Sequence, residues 1–195
     1  MEEYFDVLDE KGNKTGKTKP RKEVHKDGDW HKAVHVWIIN DKNEVLLQRR
    51  SKTKDSNPNK ISIFNGGHLS AGDTSIDGVK RELKEELNLE VNEKNLKFIK
   101  TIKRSAKYTP TYKNNEFDDL YILKVKEKIS DMVYQKEEIS EIFFVPYNKL
   151  KEMVKKKEPD LLIDTFEEEI ETLFSYLDKE IKNDRWRIYR YCHRN

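Results

Sequence analysis

The chain has 195 residues, a length that favours one domain with a short appendage and excludes a large multidomain assembly. Aromatic residues make up 10% of the sequence, which is ample for a hydrophobic core and argues against a globally disordered chain. The 39 Lys and Arg residues nearly balance the 37 Asp and Glu residues, so any electrostatic function must be local.

Cysteine usage and hydropathy predict a cytoplasmic protein. Cys192 is the single cysteine, so an internal disulfide is excluded. The acidic start at Met1, Glu2 and Glu3 lacks the basic and then apolar layout of a secretory signal. No apolar run approaches the roughly 18–20 residues that a membrane-spanning helix needs, so no membrane association is expected.

Strand-like segments dominate the first part of the chain. Residues 4–8 and 14–18 flank a Gly- and Asn-containing turn and predict a small hairpin. Residues 33–39 and 45–49 are rich in β-branched and aliphatic residues and predict a second, central hairpin. A polar segment at 51–60 predicts a solvated loop, and a short strand is expected at 61–64.

A helix is expected to begin near Thr74, with a buried stripe formed by Ile76, Val79, Leu83 and Leu87. Further strands are expected at residues 96–102, 117–125 and 142–145, with a loop at 108–115. Because strands and helices alternate in this way, the sequence predicts a fold of the α/β (α+β) class, a mixed sheet with helices packed on it.

The sequence divides into a domain at residues 1–150 and a C-terminal helical extension at residues 151–195. A helix is expected at 147–156. A later helix carries an apolar stripe of Phe166, Ile170, Leu173, Phe174, Leu177 and Ile181. That stripe must be buried on the domain or on a partner, which leaves a homodimer open.

The helix after Thr74 carries three glutamates along one edge. Glu82, Glu85 and Glu86 span about 100° of the helix circumference, next to the apolar stripe. Like charges at this spacing repel and are costly to desolvate, and a hard divalent cation such as Mg²⁺ or Mn²⁺ would remove the conflict. The alternative is an exposed helix on which Lys80, Arg81 and Lys84 offset the glutamates.

The upstream spacing favours the metal-binding interpretation. The stretch from Gly67 to Leu89 resembles the Nudix box, written as Gly, five residues, Glu, seven residues, Arg-Glu, an aliphatic residue, any residue, Glu-Glu, any residue, Gly and an aliphatic residue. The positions in register are Gly67, Arg81, Glu82, Leu83, Glu85, Glu86 and Leu89. Asp73 replaces the first glutamate and Asn88 replaces the last glycine, and asparagine can still adopt a left-handed helix C-cap.

The resemblance implies a mixed sheet sandwiched between helices and hydrolysis of a nucleoside diphosphate derivative, so the expected partner is a small-molecule diphosphate. It also implies a metal site made by the Gly67 carbonyl, Glu82, Glu85 and Glu86, with Arg81 orienting the carboxylates. Glu82 is the first candidate for the general base. Glu116 is either an additional ligand, an alternative base or a surface acid at a strand end.

Outside the box, the arrangement of residues 9–13, His25, residues 31–34, residues 46–50 and Lys54 resembles the isopentenyl-diphosphate isomerase branch of the family, and the similarity covers roughly residues 3–125. The isomerases place a catalytic cysteine in a Cys-Gly-His-Pro-like segment where this chain reads Gly66-Gly67-His68-Leu69, and glycine provides neither an acid nor a base. Isomerisation is therefore the runner-up. His25, His31 and His68 fall near that branch's imidazole metal site; we favour neutral hydrogen-bonded roles for His31 and His68 and an exposed His25.

Several side chains are candidates for substrate contacts. Arg49, Arg50 and Lys54 follow a strand and can meet diphosphate oxygens, with one of the two arginines favoured as a substrate contact and His68 also expected to contact substrate. The alternative is one inward and one outward arginine with a solvated Lys54. The tail at 185–194 interleaves cations with aromatics, a composition that suits RNA but more often closes a helix onto its domain. Nucleic acid is therefore not an expected partner. A non-catalytic nucleotide- or RNA-binding module remains the other class of function.

Overall fold

The computed structural model describes residues 2–54, 57–126, 129–163 and 166–192, with side chains to residue 181 except that of residue 131. The strands are β1 Tyr4–Leu8, β2 Lys14–Pro20, β3 Trp30–Asn40, β4 Glu44–Arg50, β5 Ile61–Ser62, β6 Leu96–Thr109, β7 Tyr112–Val125 and β8 Ile139–Pro146. The helices are α1 Arg21–Asp27, α2 Ser75–Leu87, α3 Tyr147–Lys155 and α4 Glu167–Cys192. Strands and helices thus alternate along the chain, as the sequence predicts.

The sheet is mixed. Strand β3 runs parallel to β7 along its whole length, and β6 pairs with β7 in antiparallel orientation. On the other side β3 pairs briefly with β1 and β4, and β8 joins β4. The segment after β5 bridges to β3 through Val36 and Asn65, and through Ala33 and His68. This bridging segment brings Gly66 and Gly67 against the middle of β3.

Helices cover both faces of the sheet because successive side chains of a strand point to opposite faces. On one face Val34 and Val36 pack with Val79 and Leu83 of α2. On the other face Trp37 packs with side chains of α3 and α4. The expected sandwich of a mixed sheet between helices is therefore confirmed.

Two details of the predicted elements are wrong. The segment at 108–115 is not a loop, since β6 and β7 continue to a turn at Pro110 and Thr111. Tyr112 stacks on the His25 ring, which holds the extended hairpin against α1. Ile76 is 37% exposed, so the buried stripe of α2 starts only at Val79.

The apolar stripe of α4 is buried on the sheet of the same chain. Ile170, Leu173 and Leu177 belong to the core cluster that contains Trp37. This contact selects the first of the two positions that the sequence allowed for the stripe. No helix among the described residues is long and apolar enough to cross a membrane. The side chains of the basic aromatic tail at 185–194 lie outside the described residues.

Candidate active site

A cavity of about 860 Å³ opens between α2, the segment after β5, the β6–β7 hairpin and the start of α4. Its wall contains the five positions predicted from the sequence as metal ligands, namely Gly67, Glu82, Glu85, Glu86 and Glu116. Arg81, Arg50, Lys54 and His68 also line it. The fold therefore gathers most of the candidate residues into one space.

Local sequence fixes the position of α2. The Thr74 side chain accepts from the Asp77 amide, and the Asp77 carboxylate accepts from the Thr74 amide, which closes a capping box. The helix ends at Asn88, whose φ of 52° is left-handed, as the Nudix-box comparison requires. Between these caps Val79 and Leu83 anchor the helix in the core, so Glu82 and Glu86 face the cavity.

Gly67 lies directly against the Glu82 carboxylate. A Cβ at position 67 would lie 2.7 Å from Glu82 Oε2, so only glycine fits without displacing this carboxylate. The Gly67 carbonyl accepts from the Val34 amide at 2.9 Å, which holds the bend on β3. Glycine at position 67 thus allows the carboxylate and the bend to approach closely.

Arg81 holds this arrangement together. Its Nη1 donates to Glu82 Oε1 at 2.6 Å and its Nη2 donates to the His68 carbonyl at 2.8 Å. The same guanidinium lies 3.4 Å from Asp73 and 3.7 Å from Glu85. The Glu85 side chain is 58% exposed, so of the three α2 glutamates it reaches furthest into solvent.

The pKa values of the two inner glutamates are raised. Burial raises the pKa of Glu82, and the charge of Arg81 only partly offsets that effect. Burial, together with the charge of Glu82, raises the pKa of Glu86 to about 8. Glu86 accepts a long hydrogen bond of 3.3 Å from the Gly66 amide. The metal-free protein therefore disfavours the ionised form of both carboxylates.

The opposite wall of the cavity holds Glu116, a buried carboxylate whose pKa is lowered instead of raised. Burial would raise the pKa of Glu116, but the charge of Arg104 and the neighbouring imidazoles of His31 and His68 hold it well below its usual range. Glu116 forms an ion pair with Arg104, and its Oε1 lies 2.9 Å from His68 Nε2. Arg104 Nε also donates to Asp118 at 2.8 Å. Glu116 is therefore a buried strand residue, not a surface acid.

Three histidines surround Glu116. One ligand atom from each of His25, His31 and His68 lies within 4.8 Å of the others. The Nδ1 atoms of His25 and His31 bond the carbonyls of Arg21 and Asp29. Their Nε2 atoms make no hydrogen bond within 3.5 Å among the described residues, and that of His31 lies 3.6 Å from Glu116 Oε1. Three imidazoles and a carboxylate form a donor set that transition metals accept.

The sequence-based expectation for His25 is wrong, because its side chain is buried under the Tyr112 ring. Burial lowers the pKa of His25 and lowers that of His68 to about 3. Neutral imidazoles are what the sequence analysis expected for His68, and they are also the form that binds a metal.

The basic residues predicted to contact substrate do not all point into the cavity. Arg50 and Lys54 line the cavity, and burial lowers the pKa of both. Arg49 does not reach it. Its guanidinium lies 3.5 Å from Glu141 and 3.4 Å from Asp160, because neighbouring residues of a strand point to opposite faces. Arg49 is therefore corrected to a surface ion-pairing residue.

Sequence reasoning missed several cavity residues. Arg104, Tyr108 and Tyr112 line it, because the hairpin is longer than expected. On β7, the polar residues Asn114 and Asp118 stand two positions before and after the predicted Glu116, and all three side chains are buried. This alternation of polar residues within a β-rich segment is the signal that could have found them.

Comparisons with known proteins agree with this geometry. A model of the NUDIX domain matches residues 29–166. Nudix hydrolase 3 of Arabidopsis thaliana is 42% identical over 162 residues, which cover 81% of this chain and 21% of the plant protein. An uncharacterized Nudix hydrolase of Clostridium acetobutylicum is 35% identical over 141 residues, which cover 71% of this chain and 67% of that protein.

Other matches are more partial. An isopentenyl-diphosphate Delta-isomerase of Corynebacterium glutamicum is 35% identical over 87 residues, covering 44% of this chain and 46% of that enzyme. A Deinococcus radiodurans crystal structure has a TM-score of 0.63 at 19% identity, covering 79% of this chain and 90% of that one. The NUDIX domain of Shewanella oneidensis NrtR, solved with ADP ribose, has a TM-score of 0.55 at 14% identity, covering 75% and 87%. The chain belongs to the Nudix hydrolase family.

Proposed function

We propose that this chain is a Mg²⁺- or Mn²⁺-dependent hydrolase that cleaves a diphosphate bond in a nucleoside diphosphate derivative. The observation that carries the proposal is the pair of glutamates Glu86, which is buried, and Glu82, whose side chain is only 12% exposed, in a cavity that Arg50 and Lys54 also line. Acidic and basic groups in one cavity suit a divalent cation and the phosphate oxygens that it accompanies.

The residues present fit a hard divalent cation. The raised pKa of Glu86 records a carboxylate whose charge is not balanced by the protein, and a bound cation would balance it. The Gly67 carbonyl, Glu82, Glu85 and Glu86 would hold the ion, and Glu116 would offer a further oxygen from β7. When bound, such an ion neutralises phosphoryl oxygens and lowers the pKa of a water molecule.

The chain's own side chains then have separate roles. Arg81 fixes the Glu82 carboxylate through a 2.6 Å hydrogen bond and so aims its free oxygen. Glu82, whose pKa burial moves toward neutrality, serves as the general base that takes a proton from the attacking water. Arg50 and Lys54 bind the phosphate oxygens, and His68 donates or accepts a hydrogen bond beside them.

The size of the cavity fits a substrate of this class. About 860 Å³ is within the range of roughly 300–1,000 Å³ that small-molecule sites occupy. Tyr108 and Tyr112 add flat apolar surface on which a base can stack. The Shewanella protein was solved with ADP ribose, so we include that compound among the candidate substrates.

The proposal is tested by incubating the protein with Mg²⁺ and CDP, UDP, ADP-ribose or nucleotide sugars, with released products measured by chromatography. At least one compound should be hydrolysed, and Glu82→Gln and Glu86→Gln should each lower turnover by about 100-fold or more. Glu90→Gln, an exposed residue just after α2, is the matched control. Full activity in both active-site variants would remove the mechanism, and RNA binding without any turnover would favour a non-catalytic module.

Isomerisation of isopentenyl diphosphate is the second candidate, favoured by the histidine cluster and by the Corynebacterium relative. The backbone conformation opposes isomerisation, because Gly66, which stands where the isomerases have their catalytic cysteine, has no room for a side chain. Gly66 has a φ of 132°, and a Cβ there would lie 2.2 Å from the Val34 carbonyl oxygen. We expect neither the wild type nor Gly66→Cys to form the allylic isomer; its appearance in the wild type would make isomerisation the leading candidate.

A further inference from the structure

Glu169 of α4 lies beyond the segment that matches the NUDIX domain, yet its side chain is buried behind the cavity wall. Its Oε2 lies 2.8 Å from His35 Nδ1 and its Oε1 accepts from Trp37 Nε1 at 2.8 Å. Both partners are on β3, at positions that share one face. Two short hydrogen bonds therefore join the C-terminal helix to the central strand.

His35 belongs to the cavity wall. Its ring stacks on Phe64 with 3.7 Å between ring centroids, and Phe64 in turn packs edge-on against Phe166. His35, Phe64 and Phe166 all line the cavity. Arg104 lies over the Phe166 ring, with its guanidinium carbon 4.7 Å from the ring centroid. Glu169 thus contacts the side of the wall that faces away from the cavity.

Ionisable groups of alternating type continue from Glu169 to the opposite carboxylate of the site. His35 Nε2 lies 3.9 Å from Asp118 Oδ1, and Asp118 accepts from Arg104 Nε at 2.8 Å. Arg104 pairs with Glu116. The series runs acid, imidazole, acid, guanidinium, acid. Hydrogen bonds or close ion pairs join its members except at the 3.9 Å step from His35 to Asp118, where the two groups interact through their charges. A change at one end alters the field at the next group in this poorly solvated interior.

We propose that Glu169 is a positioning residue for the diphosphate hydrolysis proposed above: it orients His35 and, through Asp118, sets Arg104 and Glu116 in the cavity. The role rests on that proposed function. Outer residues that orient groups at a metal site commonly change activity or metal affinity by about 10- to 100-fold when altered. The C-terminal helix then contributes to turnover as well as to the core.

The test compares Glu169→Gln with two controls on the same helix. Glutamine keeps the size of the side chain but removes its charge. We expect Glu169→Gln to lower kcat by about 10-fold with KM changed less than about 2-fold. Glu168→Gln, whose exposed carboxylate pairs with Lys100, should leave kcat unchanged. Leu177→Ala should lower the melting temperature but leave kcat within about 2-fold, since Leu177 contributes only to the core.

His35→Gln removes the contact between His35 and Glu169 from the β3 side. It replaces Glu169→Gln in the test if that variant does not fold. If Glu169 acts through His35, the kcat losses of the two single variants will not add in the double variant. The proposal fails if Glu169→Gln lowers only the melting temperature, as Leu177→Ala does. It also fails if the losses of the single variants add fully.

An NMR measurement decides the proposal without substrate. The Arg104 Nε–H resonance and the His68 ring resonances should shift in Glu169→Gln and stay in place in Glu168→Gln. Unchanged Arg104 and His68 signals in Glu169→Gln would overturn the positioning role. Absence of hydrolysis by the wild type would instead overturn the proposed function, and the NMR comparison would still report on the coupling.

Discussion

Glu86 and Glu116 are buried glutamates of the same cavity, yet their pKa values move in opposite directions. Burial raises the pKa of Glu86 to about 8, whereas Arg104 and two histidines hold the pKa of Glu116 well below its usual range. The difference lies in the partners. On the side of the cavity formed by the hairpin (the β6–β7 wall), Arg104 neutralises Glu116. On the side formed by α2 (the α2 wall), ionisation of Glu82 and Glu86 is disfavoured, and an added cation would stabilise their charged forms.

The largest expected effect comes from removing the cation of the β6–β7 wall. Arg104→Met should destabilise the protein by about 3–5 kcal/mol, because Glu116 and Asp118 would remain buried without their partner. Urea unfolding at pH 7 measures this change. Lys107→Met, an exposed neighbour on β6, is the control. A change below about 0.5 kcal/mol for Arg104→Met would show that Arg104 is not needed to neutralise Glu116 and Asp118.

The α2 wall should respond to pH in the metal-free protein. Because the folded-state pKa of Glu86 lies above its ordinary value of 4.5, its contribution to stability is fully present below pH 4.5 and is lost as the pH rises through about 8. Between these limits the stability of the wild type, relative to Glu86→Gln, should fall by up to about 1.4 kcal/mol per pH unit. If the free energies of unfolding of the wild type and Glu86→Gln change equally with pH, the raised pKa of Glu86 is contradicted.

The β6–β7 wall should show the opposite sign. The lowered pKa of Glu116 means that its contribution is present above pH 4.5 and is lost as the pH falls through the folded-state pKa. Glu116→Gln should therefore cost about 2 kcal/mol at pH 7. The gap from the wild type should narrow in acid, as measured by urea unfolding at several pH values. A gap that widens in acid would refute this assignment.

Glu85 should give the smallest effect on stability, because its side chain is 58% exposed and its ion pair with Arg81 is long. Glu85→Gln should change the free energy of unfolding by less than about 0.5 kcal/mol. If Glu85 contributes a metal oxygen, the same variant will bind Mg²⁺ more weakly while unfolding normally in EDTA. Equal Mg²⁺ affinity would restrict the proposed ligands to the inner glutamates.

Local spacing is the reason that α2 and its glutamates could be predicted. The caps at Thr74 and Asn88, the apolar stripe and the Nudix-box spacing all lie within one short segment, so the sequence contains the whole pattern. The two hairpins were predictable for the same reason. The mixed sheet followed from the alternation of these segments.

Contacts between distant segments could not be predicted in this way. The burial of His25 depends on Tyr112 of β7, and the low pKa of Glu116 depends on Arg104 of β6. Glu169 meets β3 across more than a hundred residues. Arg49 and Arg50 are adjacent and chemically alike, so only the direction of the strand decides which one reaches the cavity.

The central claim is that Glu82 and Glu86 hold a divalent cation. Isothermal titration of Mg²⁺ into the metal-free protein at pH 7.5 tests it most directly, in two buffers of different ionisation enthalpy so that proton release is counted. We expect saturable binding with proton release in the wild type, since Glu86 with a pKa of about 8 must lose its proton to bind metal, and much weaker binding in Glu86→Gln. Equal binding by the two proteins, with no proton released, would contradict the account.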